Sequence, residues 1–107
     1  MTFYVKQNDT SPSILATLKD ADGVAVDLTG ASARLHMRKI GFTEVTVDQA
    51  ATIVTAASGE VRYDWVAADT AAVGSYEAEI EITNSDASIE TFPNDGFIRV
   101  EITDDIA

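Results

Sequence analysis

The chain has 107 residues, 46% of them hydrophobic and none of them cysteine, with 18 acids against 7 bases for a net charge of −11. That size and apolar content suit a single domain with its own core, expected to span 1–107. The missing thiols exclude a disulfide framework, a cysteine zinc site and a thiol nucleophile, and the acidic balance argues against nucleic acid or an anionic membrane surface as partner.

The N-terminal stretch MTFYVKQNDT has neither the basic nor the apolar region of a signal peptide, and no apolar run approaches the ~18 residues of a membrane span. Residues 3–7 read as a first short strand, with Phe3 and Val5 on one parity. Turn formers follow from Asn8 to Pro12. Residues 13–19 form a second strand with Ile14, Ala16 and Leu18 inward. Asp20-Ala21-Asp22-Gly23 is a turn, and Val24, Val26 and Leu28 complete a hairpin over residues 13–28. Residues 31–39 alternate cleanly, with Ala33, Leu35 and Met37 inward and Arg34, His36 and Arg38 outward. Ile40-Gly41-Phe42 is a tip. Residues 43–47 and 52–55 read as two weaker strands around Asp48-Gln49-Ala50-Ala51. After a turn at residues 56–59, residues 60–66 form a strand with Val61, Tyr63 and Trp65 on one face.

The stretch 68–83 is the most informative. Asp69, Gly74 and Tyr76 have the spacing of a tyrosine corner, in which a Tyr hydroxyl bonds back to the upstream backbone as the chain enters a sandwich strand. The lead-in, 66–73, reads as a loop with one 3₁₀ turn, too short for a stable helix. Tyr76, Ala78, Ile80 and Ile82 then share one parity, and Glu77, Glu79 and Glu81 the other, so one face is buried and one is acidic and wet. A hairpin turn at residues 84–87 leads to a strand at 88–92. Pro93-Asn94-Asp95-Gly96 breaks it, and 97–103 is the last strand, with Ile98, Val100 and Ile102 inward. Seven to nine short strands with turns every ~8–12 residues define an all-β chain folded as an antiparallel sandwich.

No constellation of catalytic residues emerges. Three glutamates on an open strand face lack the desolvated acid beside an ionised partner that a glycosidase needs. Asp20, Asp22 and Asp27 flank a glycine turn, but the full EF-hand pattern is missing, so they read as a polar turn. His36, the single histidine, lies outward between Arg34 and Arg38 with no triad or second ligand of suitable spacing. Neither a cofactor nor a metal is expected. Tyr63 and Trp65 share parity with Val61 and read as core; the structural residues are thus Tyr63, Trp65, Asp69, Gly74 and Tyr76. Phe42, an apolar ring in a turn, and the basic stripe Arg34, His36, Arg38 and Lys39 form the candidate interface. That stripe would suit an acidic partner, such as the glutamate face of a second copy.

In order and spacing, FYVKQNDTSPSILATLKDADGVAVDLTGASARLHMR, GEVRYDW, ADTAAVGSYEAEIEIT and ETFPNDGFIRVEI resemble the immunoglobulin-like N-terminal domain of phage baseplate upper proteins. The characteristic pieces are D-L-T-G-A at 27–31, the G-E-V-x-Y-x-W run, the A-D-T…G-x-Y corner and T-F-P-N-D-G at 91–96. The resemblance implies an immunoglobulin-like fold and a structural virion protein, made in the bacterial host and contacting other phage structural proteins or its own copies. It implies no catalytic motif. In those proteins the domain anchors a receptor-binding apparatus; here no coiled coil or receptor-binding part follows, so the expected role is a tail, baseplate or decoration and connector module. The alternative is a carbohydrate-binding module using Tyr4, Phe42 or Trp65.

Overall fold

The computed structural model describes residues 2–106. Eight strands follow in chain order: β1 (Thr2–Lys6), β2 (Ile14–Thr17), β3 (Ser32–Lys39), β4 (Val45–Thr55), β5 (Glu60–Tyr63), β6 (Gly74–Thr83), β7 (Ile89–Phe92) and β8 (Ile98–Thr103). The only helical elements among the described residues are two 3₁₀ turns, Ala56–Ser58 and Ala67–Thr70.

The strands hydrogen-bond in the order β1-β8-β6-β3-β4-β5-β2, with β7 also on β6. One layer is built on β6, which pairs with β3 along one edge and with β8 and then β7 along the other. The second layer is β2, β5 and the end of β4. The long strand β4 belongs to both: Val45 to Ala51 pair with β3, and Thr52 to Thr55 pair with β5. The inward rows of the two layers meet in one core that includes Ile14, Leu35, Met37, Val61, Ile80 and Val100, each at most 2% exposed. The fold is therefore the all-β sandwich that the alternation implies.

The structure corrects four local readings. Residues 24–28 are not a strand. They make one bridge, Lys19 with Ala25, and then turn so that Leu28 donates to Ala56 and enters the core. Val24 is 60% exposed. Asp48-Gln49-Ala50-Ala51 does not divide two strands: it pairs with His36, Leu35, Arg34 and Ala33, and this ladder overrides the weak local propensity of those residues. The strand read over 60–66 ends at Tyr63, although Trp65 beyond it is buried. Finally, β1 runs parallel to β8, so one pair departs from the antiparallel rule. The whole domain lies between those two strands in sequence, which satisfies the long connection that a parallel pair requires.

Gly59 shows how tightly the second layer closes. It sits at φ +67°, and a Cβ there would lie 2.7 Å from the Leu18 carbonyl oxygen and 2.9 Å from that of Val26. Only glycine fits this left-handed position.

Candidate interaction surface

Two groups of side chains stand out. The first surrounds the entry to β6. The Tyr76 hydroxyl donates to the carbonyl of Ala72 at 2.8 Å, the geometry of a tyrosine corner. Asp69 does something different from its neighbour in the motif. Its Oδ2 accepts from the Tyr63 hydroxyl at 2.6 Å and from the Val66 amide at 3.0 Å, which ties the 3₁₀ turn to the end of β5. Burial first, and the Asp69 carboxylate second, push the Tyr63 hydroxyl pKa well above the ordinary tyrosine value. Burial also raises that of Tyr76. Gly74 opens β6 at φ +154°, under the Lys39 side chain. Thr70, fully buried, donates to the Asp9 carbonyl and binds the same turn to the loop after β1. These contacts are structural.

Trp65 belongs with them. It is 3% exposed, packed edge-on against Tyr63 at 5.2 Å and tilted against Phe3 at 5.9 Å. A sugar platform needs an open ring face, and Trp65 has none. Tyr4, 67% exposed on β1, and Phe42, 61% exposed after β3, lie on well-separated strands of the layer, so the three aromatics do not converge.

The second group is the outward face of β3 and its neighbours. Here the structure brings together residues that the sequence keeps far apart. Arg34, His36 and Arg38 lie directly across from Glu81, Glu79 and Glu77 in the β3–β6 register. On the other side, His36 is across from Asp48. Arg38 Nε donates to Glu77 at 2.7 Å, and Arg34 Nε to Asp48 at 2.6 Å, with His36 Nε2 3.1 Å from the same Asp48 oxygen. The Arg34 hydrogen bond is the main cause holding the Asp48 carboxyl below its usual range. Arg62 with Asp64 and Arg99 with Glu101 complete the set, so each of the four arginines holds a carboxylate of its own chain.

Both arginines of the stripe are thus held within the chain, Arg38 by Glu77 of β6 and Arg34 by Asp48 of β4, rather than waiting for the glutamate face of a second copy. The reason is geometric: opposite charges on facing rows of an antiparallel pair sit within reach of each other. Apolar rings also stand open on this side. Phe42 projects from the turn after β3, with Lys39 Nζ 5.8 Å from its ring centre. Phe97, 46% exposed, stacks under the Arg38 guanidinium at 5.4 Å. With Val45 it walls a cleft of ≈330 Å³ over the Arg38–Glu77 pair. Phe97 was not singled out in the sequence, although it falls on the outward parity of Arg99 and Glu101.

Two further carboxylates serve turns. Asp20 accepts from the Asp22 and Val24 amides, and Asp27 from the amide and hydroxyl of Thr29. Among the described residues no three acidic or histidine side chains converge as a metal site.

The class of protein that this fold defines is an all-β sandwich whose polar side chains brace strands and turns. The chain is a member of the BppU N-terminal domain family, whose model matches residues 2–105. It is thereby a phage baseplate structural protein. In structure it is similar to the N-terminal domain of phage TP901-1 ORF48, with a TM-score of 0.72 at 13% identity over 96% of this chain and 85% of that one. It is also similar to CopC from Methylosinus trichosporium OB3b, with a TM-score of 0.54 at 16% identity over 99% of this chain and 87% of that one. At such identities both likenesses concern the fold. No curated protein sequence matches the chain.

Proposed function

We propose that the protein is a non-enzymatic baseplate or connector module of the virion that works by presenting rigid β surfaces to other phage structural proteins. The observation that carries this reading is the apolar projection at the end of the β3 row. Phe42 is 61% exposed and Ile40 40%, at the end of a row whose two arginines are both held by carboxylates of the same chain. An exposed ring held on a short turn between two strands is a rigid anchor, and such rings contribute most where a partner excludes water around them. The ion-paired rows on either side keep that face soluble before assembly and set a polar rim after it.

The experiment is particle incorporation of Phe42→Asp. Loss of incorporation with an unchanged melting curve supports the anchor. Wild-type incorporation of that variant refutes it.

A further inference from the structure

β2 is the last strand of the ladder and, among the described residues, pairs with β5 alone. The turn after it reveals which backbone groups face outward. The Leu18 amide donates to the Gly59 carbonyl at 2.8 Å, and the Leu18 carbonyl accepts from the Val26 amide at 2.9 Å. Both groups of Leu18 therefore point to the β5 side, and the segment 24–26 returns on that side too. Alternation then turns the backbone of Ile14 and Ala16 toward β5, and that of Leu15, Thr17 and Lys19 outward. Ile14–Thr17 contains no charge, no proline and no register shift, the devices that ordinarily blunt an edge strand.

A cleft of ≈340 Å³ runs along this edge, with residues 15–19 on one wall and Phe92, Pro93, Phe97 and Ile98 on the other. No carboxylate lines it, on a chain whose net charge is −11. Leu15 is 54% exposed at its rim.

We propose that β2 of a second copy covers this edge, antiparallel to the first, about a two-fold axis through Ala16. In that register Leu15 faces Thr17 of the other copy, Ala16 faces itself, and Lys19 faces Ser13. Two features favour a second copy over an unrelated strand. The smallest side chain of the strand lies on the axis, where two copies approach most closely. The charges also match: Asp64 accepts from Ser13 and Arg62 through Oδ1, so each Lys19, which has no carboxylate partner among the described residues, arrives beside the Oδ2 of an Asp64. The two-fold makes that pair twice. A register shifted by two residues sets Lys19 against Leu15 and loses both pairs. The pairing joins the layers of β4, β5 and β2 into one continuous sheet and turns the two 93–97 loops toward each other, so the apolar clefts close together.

Sedimentation equilibrium tests this. The wild-type mass is expected to approach twice 11.4 kDa as concentration rises. Thr17→Pro removes an outward-facing amide and leaves the β5 ladder intact, so it is expected to return the mass to that of one chain. Lys19→Glu and Asp64→Lys place like charges together in their own homodimers, and each alone is expected to be a monomer. Mixed, they are expected to form a heterodimer, since the introduced glutamate then meets the introduced lysine, and the native Lys19 of one chain meets the native Asp64 of the other. That mixing experiment decides the matter even where Thr17→Pro unfolds. A wild type that stays at one chain's mass overturns the proposal, as does a dimer that survives Thr17→Pro or fails to re-form on mixing. Self-association in solution is independent of the Phe42 reading, so either can fail while the other stands.

Discussion

The two faces of the β3–β6 pair share one set of backbone hydrogen bonds and differ in almost everything else. Inward, Leu35 and Met37 meet Ile80 and Ala78, all at most 2% exposed. Outward, Arg34, His36 and Arg38 meet Glu81, Glu79 and Glu77, with the Arg38 and Glu77 side chains 41% and 20% exposed. Removing apolar area from water is non-directional and large, whereas a half-exposed ion pair gains little over its hydrated parts. The inner face therefore holds the fold together. The outer face keeps the pair in register and soluble, because a slip by one residue would move Leu35 out and Arg34 in.

The largest expected effect is on the inner face. Leu35→Ala removes a fully buried side chain and should cost about 2–5 kcal/mol in urea unfolding. A loss below that of any outer-face variant would overturn the comparison. Tyr76→Phe leaves the Ala72 carbonyl without its donor and should cost about 1 kcal/mol; a melting curve identical to wild type would deny the corner any energetic role. Arg38→Ala, by contrast, should cost no more than about 1 kcal/mol, in part from lost packing on Phe97, and added salt should reduce the difference.

Titration separates the faces by sign. Tyr63 and Tyr76 have native pKa values raised above 10.0, so their contribution is fully present below that pH and is lost as pH rises beyond it; Tyr63→Phe should flatten this alkaline limb. On the polar faces, the Arg34 hydrogen bond lowers Asp48, and the Ser75 and Arg99 bonds lower Glu101. Their contribution is present above the ordinary carboxylate values of 3.8 and 4.5 and is lost as pH falls through the lower native ones. This acid limb should be the smaller, since the Asp48 side chain is more than half exposed and the Glu101 side chain partly so. Fluorescence-monitored unfolding across pH measures both limbs.

Most strands of this chain can be read from neighbouring residues. Alternation over residues 31–39 and 76–83 names the buried rows, and the spacing before Tyr76 names its corner, because a strand's two faces are set by adjacent positions. The same logic misjudged residues 48–51, whose polar and small side chains look like a break until β3 lies beside them. It also took Arg34, His36 and Arg38 for an open basic stripe. Parity says that a side chain points outward and says nothing about which strand stands next to it.

Taken alone, the amino-acid order determined the strand class, the inward rows, the turns at glycine and the absence of thiol chemistry, since each depends on residues within a few positions of one another. Tertiary structure alone decided that β6 stands against β3, that β4 crosses between layers, that β1 joins β8 in parallel, and that β2 is left with a bare edge. These are pairings between segments tens of residues apart. They are settled by which whole arrangement buries both sets of inward rows at once, and so they also settled which acid meets which base.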